Sequence, residues 1–326
     1  MGARAIVVEA AGPPEAMAWR DVDLPQPGPG ELVVRHEAVG VNFLDVLMRA
    51  GRGGAAYPAR LGVEGAGVVE AAGAGAGFAP GDRVVYAGGP PGAYADRRLL
   101  PAARAVALPP DIPSTDAAAL FFKGLTAWYL ATRTAPLGPG DVALVHAAAG
   151  GVGSLLARWL VHRGVRVVAT VGSEGKRAAA LATGAEAVLV LGQDDVAVAV
   201  KAASDGAGAR AAFDSVGRDS WEASIDSLGP MGWLVSYGWA SGEPQVDLTR
   251  LRNAGSLIVT RPTIAHYTAA RADLEAGAAE VFALIRAGVL RFEQVETLPL
   301  SEVVAAHRRI ESRSVAGPVV LVADAP

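Results

Sequence analysis

Val142-Ala-Leu-Val-His146-Ala-Ala-Ala-Gly150-Gly151-Val152-Gly153-Ser154-Leu155-Leu156 is the stretch that decides the fold. An apolar run of strand length enters a glycine-rich turn, and the turn opens into an apolar helical pattern. Ala147, Gly150 and Gly153 have the AxxGxxG spacing of a dinucleotide fingerprint. The spacing has a physical reason. Side chains at the turn would push a pyrophosphate off the helix N-terminus, where unpaired N–H groups and the helix dipole favour an anion. With 40 glycines in the chain an ordinary tight turn is the competing reading. The strand before the turn, and the helix and strand after it, argue against that.

Downstream, strand patterns at 142–147, 165–170, 187–191, 211–213, 232–236 and 257–260 alternate with helical patterns such as 153–163 and 176–183. This alternation predicts a parallel sheet of right-handed β-α-β units, the size of a dinucleotide-binding fold. Upstream, short β segments at 6–9, 32–38, 67–72 and 83–86 are broken by Pro25-Gln-Pro-Gly-Pro-Gly30 and Ala79-Pro-Gly-Asp82, which predicts a β-rich domain with little helix. The character changes at Pro110: Ser114 is a candidate N-cap, 117–133 has helical spacing, and a domain boundary falls near residue 122. After Pro262 the expectation is a helix over 270–287, a strand at 293–298, a helix at 301–311 and a strand at 318–322, a tail that returns to the first domain.

A chain of 326 residues, 51% hydrophobic and 19% charged, is long enough for about two domains and too apolar for disorder. Its net charge of −4 gives no basic surface for nucleic acid. The absence of cysteine excludes thiolate zinc sites, iron–sulfur clusters and cysteine nucleophiles. No GxSxG elbow or Walker motif is present. The histidines at 36, 146, 162, 266 and 307 lack metal-ligand spacing and read as isolated surface or core residues. No signal-peptide pattern opens the chain, and its apolar stretches fall short of the roughly 20 residues of a membrane span, so a cytoplasmic location and no membrane partner are expected.

Cofactor choice is read at the end of the second strand, in Gly172-Ser173-Glu174-Gly175-Lys176-Arg177. A small residue followed by Lys176 suits a 2′-phosphate and favours NADP, while Glu174 pulls the other way. Asn42 follows a strand; it hydrogen-bonds a nicotinamide ribose or substrate oxygen, or it caps a turn. Asp45 reads as structural. Glu64, within Leu61-Gly-Val-Glu64-Gly-Ala-Gly67, reads as a structural ion-pair partner ahead of a catalytic carboxylate. Asp214-Ser-Val-Gly217 and Val235-Ser-Tyr237-Gly238 end predicted parallel strands and are candidate walls for a nicotinamide.

Several segments, in this order and spacing, resemble the zinc-free quinone oxidoreductases of the medium-chain dehydrogenase/reductase superfamily, the group that includes zeta-crystallin. They are Phe122-Lys-Gly-Leu-Thr126-Ala127, the His146–Gly153 run, Asp214-Ser-Val-Gly-Arg-Asp219, Gly255-Ser-Leu257 with Val259-Thr260-Arg261-Pro262, and Glu311-Ser312-Arg313. The resemblance implies an α/β protein. A GroES-like β-rich catalytic domain would cover 1–122 and 265–326, and a Rossmann doubly wound parallel sheet over 123–264 would bind NADPH. By the same resemblance Asn42 contacts the nicotinamide ribose region and Thr126 borders the nicotinamide. Gly150, Gly151, Val152 and Gly153 hold the pyrophosphate. Ser173 stands beside a 2′-phosphate gripped by Lys176 and Arg313, and Tyr237, Thr260 and Arg261 line the cofactor cleft.

The implied reaction is metal-free hydride transfer from NADPH to a quinone, with Asn42 or Tyr57 donating a hydrogen bond to the developing oxyanion. A homodimer through the sheet edge at 257–260 is also implied. Three departures bear on this. Relatives carry a tyrosine soon after the Asn motif, where this chain has Arg52-Gly53-Gly54 and Tyr57 follows later. They also carry one at the position of Leu191, so the NADP preference is weakened. Zinc-dependent members have Gly-His-Glu where Gly62-Val63-Glu64 stands, which excludes a zinc alcohol dehydrogenase. Reduction of enone or 2-alkenal double bonds, and NADPH binding with incidental turnover, are the alternatives.

Overall fold

The computed structural model describes residues 2–312 and 317–324. Arg313 lies outside the described residues. The chain divides into two compact units, one of Met1–Phe122, Ala270–Ala278 and Phe292–Pro326, the other of Lys123–Ala269 and Ala279–Arg291.

The first unit begins with β1 (Gly2–Val8), β2 (Met17–Asp23) and β3 (Glu31–Val41), followed by the helix α1 (Phe43–Arg49). The strands β4 (Ala59–Arg60), β5 (Glu64–Ala72), β6 (Arg83–Ala87), β7 (Arg97–Pro101) and β8 (Ala105–Ala107) come next. β2, β1 and β4 form a small sheet, and β3 is central to the larger one, paired antiparallel with β5 and β7. That position explains why β3 is buried on both faces over most of its length, without the polar alternation of a half-exposed strand. β2, β4, β7 and β8 are not among the strands expected from the sequence; β2 buries only Met17 and its pattern carries little apolar signal.

Ser114 is the first residue of α2 (Ser114–Tyr129) rather than its cap. Its hydroxyl donates to Glu37 at 2.6 Å, and the Ala117 N–H is taken by the Pro113 carbonyl. The helix ends in a π turn over Leu130–Thr134. The second unit then alternates β9 (Val142–Val145), α3 (Gly151–His162), β10 (Arg166–Val171), α4 (Arg177–Leu181), β11 (Ala187–Val190) and α5 (Val196–Ala203). It continues with β12 (Ala209–Asp214), α6 (Trp221–Ser227), β13 (Leu228–Ser236), α7 (Leu248–Asn253), β14 (Ile258–Thr260) and α8 (Ile264–Tyr267).

Its six strands are all parallel, in the order β11-β10-β9-β12-β13-β14. This is the 3-2-1-4-5-6 order of a doubly wound dinucleotide-binding sheet, whose switch point lies between β9 and β12. Every residue of β9 is buried, as a central parallel strand covered on both faces requires. Leu144, Val168, Ala212, Leu234, Trp221 and Ile225 belong to its apolar core.

α9 (Arg271–Arg286) leads back to β15 (Glu296–Pro299), α10 (Val303–Glu311) and β16 (Val319–Val322). β16 pairs antiparallel with β3 and parallel with β15, so the tail extends the larger sheet of the first unit. Among the described residues no helix is long and apolar enough to cross a membrane.

Candidate functional site

The helix α3 starts two residues earlier than expected, so Gly151, Val152 and Gly153 form its first turn and Gly150 is its N-cap. The turn is built by close backbone approach. The Gly150 N–H donates to the Ala147 carbonyl at 2.8 Å, and a Cβ on Gly153 would lie 2.4 Å from that same oxygen. A Cβ on Gly151 would meet the Lys123 stem at 3.1 Å. Lys123, one of three lysines in the chain, is buried against this turn. The cradle that side chains would fill, at the N-terminus of a 12-residue helix beside the switch point, fits a dinucleotide pyrophosphate.

At the end of β10, Ser173 and a single 3₁₀ turn, Glu174–Lys176, precede α4. The Glu174 carboxylate is drawn to Arg177, which donates to it at 2.8 and 3.0 Å. Arg177 also pairs with Asp194 at 3.2 Å and donates to the Val188 carbonyl. The acidic side chain that would choose a ribose hydroxyl is thereby held by a guanidinium, a partner the sequence reading did not identify. Leu191 packs on the apolar core of this unit.

Thr126 sits buried on α2, and Tyr237 follows β13 with its N–H on the Asp214 carbonyl at 2.8 Å. Burial raises the Tyr237 phenol well above its ordinary pKa, which keeps it neutral. Thr260 ends β14, and the next residue, Arg261, stacks its guanidinium over Trp239 at 3.3 Å while pairing with Glu243 at 2.9 Å. The loops after β12 and β13 are stitched together: Ser241 donates its N–H and hydroxyl to the Val216 carbonyl, both at 2.8 Å.

In the first unit, Asn42 caps α1 and donates its side-chain N–H to Glu64 Oε1 at 2.8 Å. The other Glu64 oxygen accepts the Phe122 N–H at 3.0 Å. A carboxylate only accepts, so Glu64 dictates which way the Asn42 amide faces. Glu64 is fully buried beneath Gly40, where a Cβ would come within 2.2 Å of its oxygen. Tyr57 gives its hydroxyl proton to the carbonyls at the end of α1, those of Met48 and, at 3.2 Å, Arg49.

Three histidines expected to be isolated are instead members of buried hydrogen-bonded chains. His146 Nδ1 meets the Thr170 hydroxyl at 2.8 Å and its Nε2 meets Ser224 at 3.0 Å; Ser224 donates to Asp214 at 2.9 Å. His307 Nδ1 meets Arg49 at 3.3 Å and its Nε2 meets Tyr94 at 3.0 Å; Tyr94 donates to Asp45 at 3.0 Å. Asp45 also accepts the Asn42 N–H at 2.9 Å, which gives the expected structural role a definite content. His36 Nδ1 donates to the Ala95 carbonyl at 2.7 Å, so its Nε2 accepts from Tyr86, also at 2.7 Å. Burial pushes His36 down to about 4 and His307 down to about 3, with the cations Arg98 and Arg49 adding to it. His146 is lowered by burial too, against the pull of Asp214.

Residues 151–283 match the zinc-binding dehydrogenase family, and residues 28–110 match the alcohol dehydrogenase GroES-like domain. The donor set does not fit zinc. The chain has no cysteine, the described residues hold no group of three His, Asp or Glu side chains placed for a metal, and Glu64 is engaged by Asn42 and Phe122. The chain is 42% identical to a quinone oxidoreductase of Pseudomonas aeruginosa, covering 98% of this chain and 99% of the relative. It is 37% identical to a 2-haloacrylate reductase of a Burkholderia species, covering 98% and 99%. The structure of Escherichia coli quinone oxidoreductase complexed with NADPH is similar at a TM-score of 0.94 and 37% identity, covering 98% and 99%. The chain belongs to the quinone oxidoreductases of the medium-chain dehydrogenase/reductase superfamily, the zeta-crystallin-like group.

Proposed function

We propose that the protein is a metal-independent, NADPH-dependent quinone oxidoreductase. The observation that carries the cofactor is the glycine cradle at the N-terminus of α3, set at the switch point of a 3-2-1-4-5-6 sheet. When bound, NADPH supplies a hydride from its nicotinamide to the acceptor. Gly150, Gly151, Val152 and Gly153 offer backbone N–H groups to the pyrophosphate. Ser173 leaves room for a 2′-phosphate and Lys176 supplies its countercharge, with Arg313 assigned the same task by family resemblance. The Glu174–Arg177 pair supports this preference, because it removes a free carboxylate from the ribose position.

Thr126, Tyr237, Thr260 and Arg261 are assigned the walls around the nicotinamide. Asn42, its amide oriented by Glu64, is assigned the hydrogen bond to the nicotinamide ribose or to the acceptor oxygen as charge develops there. Tyr57 is assigned a supporting part, since its proton already serves the end of α1. An electron-poor quinone needs orientation and exclusion of water more than a dedicated general acid. Among the described residues β14 is an edge strand, and this edge, with Ile258 and the neighbouring Met231 exposed, supports pairing with a second copy of the chain. A cytoplasmic location suits this chemistry.

A second reading, reduction of a conjugated carbon–carbon double bond, is favoured by the full-length likeness to the 2-haloacrylate reductase. Steady-state oxidation of NADPH with 1,4-benzoquinone and with a 2-alkenal, each repeated with NADH, separates the two. Fast quinone turnover that prefers NADPH is expected. Preference for the alkenal transfers the assignment to a double-bond reductase, and tight NADPH binding without turnover would leave a binding protein.

A further inference from the structure

We infer that His146 is a positioning residue for the cofactor: a directional chain of hydrogen bonds through Thr170, Ser224 and Asp214 lets it hold the dinucleotide turn in its binding shape. The inference rests on the reading that this chain binds NADPH.

The direction of the chain follows from counting protons. Asp214 accepts the N–H groups of Val216 and Gly217 at 2.8 and 2.9 Å and the hydroxyls of Ser220 and Ser224 at 2.7 and 2.9 Å. Ser224 has one proton, given to Asp214, so its oxygen can only accept from His146 Nε2. The neutral ring therefore carries its proton on Nε2, and Nδ1 accepts from Thr170. Every proton in the chain points towards Asp214. All four side chains are buried.

What the chain holds is the entry to the turn. Ala147, the next residue, has φ 54°, a left-handed conformation disfavoured for a residue with a Cβ. Such a conformation persists where its neighbours over-determine it. Here they do. The His146 N–H donates to the Phe213 carbonyl at 3.0 Å, its ring is fixed at both nitrogens, and the Ala148 N–H donates to the Thr170 carbonyl at 2.9 Å. The Ala147 carbonyl so placed is the atom on which Gly150 closes and against which Gly153 packs. The other end of the chain, Asp214, shapes the turn after β12. One buried network thus ties the carboxyl ends of β9 and β12, which flank the switch point, to that of the adjacent β10.

The test is fluorescence titration of the full-length protein with NADPH and with NADH, alongside thermal unfolding without cofactor. Because the pyrophosphate is common to both nucleotides, lesions in the chain should weaken both equally. Thr170→Val, which keeps shape and removes one hydroxyl, is expected to weaken both by about fivefold, and His146→Leu by about thirtyfold. His146→Gln, whose amide nitrogen reaches for Ser224, should recover part of that loss. Ser224→Ala added to His146→Leu should weaken binding no further, as members of one network are non-additive. A histidine that only packs would lower the unfolding temperature and leave both affinities at the wild-type value, and that result overturns the inference. If His146→Leu does not fold, Thr170→Val decides alone. Wild-type protein that fails to bind NADPH overturns the underlying reading instead.

Discussion

In the first unit a chain of hydrogen-bond donors starts at Arg49, and in the second at Thr170; from there the order of groups is the same. Each head donates to a histidine Nδ1, the histidine Nε2–H donates to a hydroxyl, and the hydroxyl donates to a carboxylate that also accepts from the backbone, one N–H at Asp45 and two at Asp214. The heads differ in charge. Thr170 is neutral, and the second unit's chain closes within a stretch from β9 to α6. Arg49 is a buried cation that requires a counterion, found in Glu311 at 2.6 Å, 262 residues further along. The first unit's network already reaches α10 through His307, and the charged head adds a second tie to that helix at Glu311, whereas a neutral head leaves the second unit's network a local brace under one turn.

The largest test of this contrast is pH. His36 and His307, both in the first unit, are neutral when folded and take up protons more readily when unfolded. Their contribution is therefore intact above about pH 6.5 and is lost as the pH falls. With folded values about 4 and about 3, the two together should remove about 4 kcal/mol between pH 7 and pH 5, read from urea unfolding at each pH. His146 acts in the same direction. A stability that stays flat over that range would break the picture of neutral buried rings.

Next in size, Asp214→Ala strands several buried donors and should cost about 3 kcal/mol, measured by urea unfolding at pH 7. Glu311→Ala should cost about 2 kcal/mol by uncovering the buried Arg49 charge, discounted because Glu311 is itself 34% exposed. Replacing the pair together, Arg49→Met with Glu311→Leu, should restore most of that loss. A smaller effect than these belongs outside both chains: Lys176→Ala should weaken NADPH by about 1.4 kcal/mol, or tenfold, and NADH hardly at all. Equal losses for the two nucleotides would remove Lys176 from the phosphate and place it with the brace.

The second unit was legible because its signals are local. The strand, the glycine spacing and the following helix sit within 142–156, and the parallel alternation repeats them. The helix start moved by two residues, which only brought the glycines into its first turn. The first unit resisted reading for the opposite reason. Arg49, Tyr94 and His307 are far apart in the chain and meet only when β16 returns to β3, so no spacing announces them. Asn42 stands out in the sequence from its place after a strand, but Glu64 as its orienting partner depends on Gly40 leaving room. Tyr57 looked like a free donor because sequence shows a phenol and not the carbonyl that takes its proton. Lys123 and Arg177 were missed because a lysine stem against a glycine and a guanidinium on Glu174 are packing facts.

The proton directions also have a spectroscopic consequence. His146 and His307 carry their proton on Nε2, whereas His36, whose Nδ1 faces the Ala95 carbonyl, carries it on Nδ1. In a histidine-labelled sample, two rings should therefore show a pyridine-like ¹⁵N resonance at Nδ1 and one should show it at Nε2. Sealed from solvent, their ring protons should exchange slowly enough to be seen directly.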